Sequence, residues 1–222
     1  MKLGKLFIVS GPSQVGKDSI VRALWQDHSI NPARIITNTT RAMRQGEKHG
    51  ITYNFLPVLE FKKLVKNNDL LEWAIVRHSY FGTPKKSVLA ALKKGKNVII
   101  QIDVQGAAQI KKKMPATILI FITAESANEV KRRIFLSTKM TNEQKNDRWR
   151  EAQNELKAKN NYDYIVINSW GKLNETIKGV KNIIKKEISQ KPLPAGRQGR
   201  QALTNNGKIA ILIGHLILFI NN

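Results

Sequence analysis

The sequence predicts an α/β fold of three layers around a parallel central sheet, and three observations carry that prediction. Apolar runs suited to buried parallel strands recur at 6–10, 97–103, 117–123 and 164–168. Helical stretches lie between or beside them, at 19–26, 85–94, 128–134, 143–158 and 173–187. A glycine-rich turn, Gly11-Pro12-Ser13-Gln14-Val15-Gly16-Lys17-Asp18-Ser19, joins the first strand to the first helix.

That turn fixes a ligand class. Gly11 and Gly16 let backbone N–H groups face inward around an anion, and Lys17 reaches the outer phosphates of a nucleoside triphosphate or similar polyphosphate. One position departs from the pattern: Asp18 stands where a Ser or Thr hydroxyl is expected to touch Mg²⁺. The interval 37–87 breaks the strand–helix rhythm with turn signals (Gln45-Gly46-Glu47, His49-Gly50) and a strand-like piece at 51–56, so it reads as an inserted subdomain of mixed structure. The charged stretch 126–159 reads as a second, helical insertion on the surface.

From Lys191 the character changes to a Pro/Gly/Arg segment expected to be irregular, followed by 209–220, apolar apart from Gly214 and His215. Twelve residues of helix reach about 18 Å, short of a hydrocarbon core of about 30 Å, so no membrane span is expected. The chain of 222 residues, 41% hydrophobic, has the size of one domain carrying insertions. The absence of cysteine excludes a disulfide framework and suits a reducing cytoplasm. Met1-Lys2 leads straight toward a strand, so no signal peptide is expected. The net charge of +22 fits either a phosphate-rich partner or a lysine-rich surface that draws in small phosphorylated substrates. Scattered aromatics give no RNA-binding signature, and Lys111-Lys112-Lys113 reads as a solvated helix end, so no dedicated nucleic-acid partner is expected.

A second phosphate site is legible in the first insertion. Arg41 and Arg44 stand three residues apart beside Thr37, Thr39 and Thr40, a set that can grip phosphate bidentately. Further on come Tyr53, Glu72 and Tyr80-Phe81-Gly82-Thr83. An ionised carboxylate only accepts hydrogen bonds. Opposite guanine it can take both the ring N1–H and the 2-amino group, whereas adenine offers an unprotonated N1, so Glu72 is a candidate base reader. Taken singly, each residue has another reading: Arg41 or Arg44 in a surface ion pair, Tyr53 and Tyr80 in the core, Glu72 as a solvated side chain.

Together and in this order these residues resemble guanylate kinase. The resemblance runs from about residue 5 to 187, through Thr39-Thr40-Arg41 to Glu47, Tyr53-Asn54-Phe55, Leu71-Glu72-Trp73-Ala74, Phe81-Gly82-Thr83-Pro84 and Ile102-Asp103-Val104-Gln105-Gly106. It implies a three-layer P-loop kinase fold with a core (1–36, 88–125 and 160–190), a mixed α+β GMP-binding subdomain (37–87), a helical lid (126–159) and an extension (191–222). By resemblance, residues 11–19 and Asn168 would bind ATP. Thr37, Arg41, Arg44, Tyr53, Glu72, Phe81, Thr83 and Asp103 would bind GMP. Lys17, Arg41, Arg133 and Arg148 would serve catalysis, with Mg²⁺ as cofactor, in an enzyme of purine metabolism in the cytoplasm.

Four positions depart from the family. They are Asp18, Gln101 in place of an acid, Phe81 in place of a tyrosine, and Ser137 in place of a lid arginine. One hypothesis has Asp18 supplying an oxygen toward Mg²⁺ in place of the acid missing at Gln101. Its alternative is that Asp18 only favours a helix N-terminus, worth about 0.3–1 kcal/mol. Gly-Lys-Asp-Ser is also similar to the loop of ribose 1,5-bisphosphate phosphokinase, and a non-catalytic guanylate-kinase-like module that binds phosphopeptides is the reading from a different class. Glu72 and Thr83 argue against the first, and the retained Gly11, Gly16, Lys17 and lid arginines against the second.

Overall fold

The computed structural model describes residues 2–138 and 140–190, with the backbone of 200–203, 209–213 and 216–220 beyond them. In chain order the elements are β1 (Leu6–Ser10), α1 (Lys17–Trp25), β2 (Pro32–Arg34), β3 (Asn38–Thr39), β4 (Asn54–Phe55), α2 (Val58–Lys66), β5 (Leu70–Val76), β6 (Ser79–Pro84) and α3 (Lys85–Lys93). There follow β7 (Asn97–Gln101), α4 (Val104–Lys113), β8 (Ile118–Thr123), α5 (Ala127–Phe135), α6 (Asn142–Ala158), β9 (Tyr164–Ile167), α7 (Leu173–Ser189), β10 (Arg200–Leu203), β11 (Ile209–Ile213) and β12 (Leu216–Ile220).

The central sheet runs β2-β7-β1-β8-β9-β10-β11-β12, parallel through β10 and antiparallel at its last two pairings. Successive side chains of a strand point to opposite faces, so each buried strand feeds two cores. Phe7, Val9, Ile99, Ile120 and Ile122 pack with Ile20, Leu24 and Ile183 of α1 and α7. Leu6, Ile8, Val98, Ile100, Leu119 and Phe121 pack with Val88, Leu92 and Ile110 of α3 and α4. Helix, sheet and helix make the three layers. A second sheet, β4-β3-β6-β5, stands apart from the first and carries the mixed structure read from 37–87.

Several boundaries move. The run 97–103 ends as a strand at Gln101, because the Asp103 carboxylate caps α4 by accepting from Gly106 N at 2.8 Å. The run 164–168 ends at Ile167, and the strand-like 51–56 contributes only Asn54–Phe55. Three elements lacked a clear period in the sequence: the three-residue β2, α2, which buries only Phe61, and α4, which starts on small residues. Lys111, Lys112 and Lys113 do end a helix, and Lys112 and Lys113 are exposed there; Lys111 is half-buried and pairs with Asp163 at 2.9 Å, while Lys113 also donates to Leu71 O at 2.7 Å. Beyond 190, the expected irregular extension lies partly outside the described residues, as do Gly214 and His215. Its described pieces are strands instead, since the isoleucine-rich sequence favours extended backbone and β9 offers an edge for β10 to pair with. Among the described residues no helix is long and apolar enough to cross a membrane.

Candidate active site

The site forms at the carboxyl ends of β1, β7 and β8, where a parallel sheet opens a crevice. The loop after β1 ends at Gly16, whose φ of 86° lies in the left-handed region. A Cβ there would also stand 2.7 Å from Asn168 Nδ2. Asn168 braces the loop: it donates to Val15 O at 2.9 Å, while Thr176 donates to its Oδ1 at 2.8 Å. Lys17 folds back to donate to Pro12 O. Burial pushes the Lys17 ammonium down, Arg148 adds to that, and Glu155 and Asp18 pull the other way. Gln14 and Ser19 are exposed along the rim. Asp18, in the first turn of α1, accepts a hydrogen bond on Oδ1 from Gln101 Nε2 at 2.6 Å, so two of the four departures touch each other.

The second sheet presents the other half. The β5–β6 pairing sets Glu72 opposite Thr83, and Thr83 Oγ1 donates to Glu72 Oε1 at 2.6 Å. Glu72 is 3% exposed, so the solvated reading of this residue does not hold. Burial raises its pKa to about 7, with Asp103 adding to the rise and Thr83 and Lys113 opposing it. The approach depends on a glycine: a Cβ on Gly106 would lie 2.6 Å from Glu72 Oε2. Arg41 donates from Nη2 to Glu47 at 2.7 and 3.0 Å, and its guanidinium lies 5.7 Å from the ring centroids of both Tyr53 and Phe55. The ion-pair reading of Arg41 therefore holds in the structure. Arg44 is exposed, with its backbone N–H donating to Glu47 at 2.8 Å. Phe81 packs edge-on against Tyr53 at 6.0 Å, and Thr37 O accepts from Asn54 N at 2.8 Å.

The two halves face each other through charge. Burial raises Tyr53, and Asp18 across the crevice adds to the rise while Arg41 opposes it. Arg148, half-buried on α6, is pushed down by burial and by Arg77 and Arg44. It therefore stands within electrostatic reach of both Lys17 and Arg44. Arg133 is placed differently. It is 6% exposed and donates to Asn168 O at 2.8 Å, Glu129 at 2.8 Å and Glu125 at 3.3 Å, on the side of the loop where Asn168 lies. Ser137 follows α5 and is half-buried.

Three residues escaped the sequence reading: Arg77, Glu151 and Glu155 carried no motif. Gly106 closes the motif at 102–106, but its close approach to Glu72 shows only in the structure. Burial raises Glu155 to about 7 despite the pull of Lys17. Arg77 donates from Nε to Glu151 Oε1 at 3.0 Å and makes a second hydrogen bond from Nη2.

A glycine-rich anion cradle at the sheet's carboxyl edge, together with an arginine pair and a buried acid, fits one class: a P-loop nucleoside monophosphate kinase. Comparison with known proteins narrows it. The family model described as guanylate kinase matches residues 3–187. A guanylate kinase from Clostridium tetani is 37% identical over 187 residues, covering 84% of this chain and 88% of that one. One from Clostridium perfringens is 41% identical over 165 residues, covering 74% and 76%. The crystal structure of guanylate kinase from Anaplasma phagocytophilum superposes with a TM-score of 0.69 at 28% identity, covering 85% of this chain and 88% of that chain. The chain belongs to the guanylate kinase family.

Proposed function

We propose that the chain transfers the γ-phosphoryl group of ATP to GMP, giving ADP and GDP, in the cytoplasm. The observation that carries this reading is the buried Glu72–Thr83 pair, set opposite the phosphate loop on the far side of the crevice. A carboxylate there accepts from guanine N1–H and the 2-amino group together, and a sugar phosphate needs no such base reader. That favours a guanine nucleotide over ribose 1,5-bisphosphate. Three units divide the work: the core (1–36, 88–125 and 160–190), the GMP-binding subdomain (37–87) and the lid (126–159).

In this reading the main-chain amides of residues 11–16 and Lys17 hold the ATP phosphates, and Asn168 lies beside the adenine while steadying the loop. Arg41 leaves Glu47 to grip the GMP phosphate with Arg44 and Tyr53. Thr37 frames the base together with Glu72 and Thr83. Phosphoryl transfer asks little covalent chemistry of a protein, so the chain's part is in-line positioning and charge neutralisation. Arg148 serves both phosphates, and Arg133 ties the lid to Asn168 and the loop it braces. Closure of the lid excludes water and limits ATP hydrolysis.

The residues fit Mg²⁺. Among the described residues no cluster of three or more acidic, histidine or cysteine groups could hold a metal alone. Magnesium in such sites takes one or two carboxylates and completes its shell with substrate phosphates and water. Asp18 is a hard oxygen donor beside Lys17, steadied by Gln101, and would hold the ion together with ATP. Mg²⁺ would supply neutralisation of phosphate charge.

A coupled assay for ADP formation with GMP, AMP, dGMP and ribose 1,5-bisphosphate tests the reading. Turnover with GMP far above AMP and ribose 1,5-bisphosphate is expected. Comparable turnover of the sugar phosphate, or silence with all four, would overturn it.

A further inference from the structure

The β5–β6 hairpin that pairs Glu72 with Thr83 at its base has a second working end. Its tip is a two-residue turn, Arg77-His78, closed by the Val76–Ser79 pair. Both turn residues lie in the left-handed region, with φ of 48° and 63°, as a tight hairpin turn requires. Neither is a glycine, so the chain pays backbone strain to keep two side chains there. The arm behind the tip is stiff. Tyr80 stacks between Phe61 at 5.2 Å and Trp73 at 6.0 Å, and Trp73 exchanges hydrogen bonds with Gln109 of α4 at 2.8 and 3.3 Å. From that fixed tip Arg77 reaches α6 and makes the two-pronged contact with Glu151. A guanidinium matches a carboxylate in this geometry and fixes orientation as well as distance. Arg148 lies three residues before Glu151, on the same face of α6.

We propose that Arg77 is a positioning residue for phosphoryl transfer: by gripping Glu151 it docks α6 against the hairpin and so sets Arg148 between the phosphate loop and the Arg41–Arg44 loop. The inference rests on the reading of Arg148 as the cation shared by the two phosphates. It adds a route by which occupancy of the guanine pocket is felt at the lid, since one rigid hairpin carries Glu72 at one end and Arg77 at the other. The pair is about two-fifths exposed on each side, with side chains at 38% and 39%. A contact of that exposure shifts a docking equilibrium by about three- to five-fold and weakens in salt.

The test uses the full chain and four forms: wild type, Arg77→Ala, Glu151→Ala, and the charge swap Arg77→Glu with Glu151→Arg. Backbone hydrogen exchange of α6 is followed without substrates, and steady-state turnover is measured at low and high salt. Each single change is expected to speed α6 exchange by about three- to five-fold and to lower kcat by a similar factor, with the GMP KM held within two-fold. The swap should restore both, and 0.5 M salt should erase the difference between wild type and the single variants. Unchanged α6 exchange in the single variants, or a swap that restores neither quantity, would overturn the proposal. Faster α6 exchange in the single variants together with a wild type that never phosphorylates GMP would support the docking contact and overturn the kinase reading instead.

Discussion

The two sides of the crevice are built on opposite principles. The donor side is backbone: the six residues 11–16 between β1 and α1, a helix N-terminus and one lysine make a cradle that any polyphosphate fits. The acceptor side is side chains gathered from β5, β6, the 37–47 loop and the start of α4, and its central group is an acid held against its own preference. An amide cradle is cheap to keep because its donors are needed anyway to start a helix. A buried Glu72 with a pKa of about 7 is stored cost, and the proposed contact with a base that donates to it would account for its place there. On the proposed function, generic affinity belongs to the first side and selectivity to the second.

Four substitutions sharpen that contrast. Lys17→Ala should lower kcat by about a thousand-fold, since it removes a charge aimed at the transferring group, and should leave GMP binding nearly untouched. A matching rise in the GMP dissociation constant would break the division. Glu72→Gln should act on the other side: GMP KM up by about ten- to a hundred-fold, the range of a lost hydrogen bond to a charged group, with kcat for saturating GMP little changed. Gly106→Ala places a methyl group 2.6 Å from Glu72 Oε2 and should cost about 1–3 kcal/mol of stability while weakening GMP binding. Equal thermal midpoints and equal GMP KM for the variant and wild type would show the approach to be slack. The smallest effect is a gain. Phe81→Tyr adds a hydroxyl beside Tyr53 and should lower the GMP KM by about two- to ten-fold.

The cost of Glu72 has a sign that can be read in stability. Its folded pKa, near 7, is raised above the ordinary value of 4.5. The folded state therefore holds the proton more tightly, and the stability this confers is lost as pH rises through 7. Glu155, also raised to about 7, adds in the same direction. The thermal midpoint should fall between pH 6 and pH 8, and fall less in Glu72→Gln.

The same contrast explains what the sequence disclosed. The phosphate loop is local, so its glycines, lysine and flanking strand and helix are legible within nine residues. The buried strands are legible because a parallel sheet covered on both faces leaves unbroken apolar runs such as Leu6–Ser10 and Ile118–Thr123. The guanine side is assembled from residues far apart in the chain, and only the order of its motifs, matched to a family, revealed it. Arg77 against Glu151 is a contact between elements with no signal at either residue alone, and nothing local joins Gly106 to Glu72, whereas Asp18 and Gln101 stand out in the sequence as paired departures from the family before their contact is seen. The end of the chain was misread for a related reason. A short apolar run after a Pro/Gly segment says nothing about the sheet edge waiting for it at β9.

Calorimetric titration of GMP into the wild type and Glu72→Gln at pH 6 and pH 8 tests the account most directly. With a pKa of about 7, Glu72 is about one-tenth ionised at the lower pH and about nine-tenths at the higher. The wild type should therefore bind GMP about nine-fold more tightly at pH 8, over and above the change in Glu72→Gln, which carries the titrations the two proteins share, those of the ligand's phosphate and of Glu155. Parallel pH dependence in the two proteins would contradict the assignment of Glu72 as the group that reads guanine.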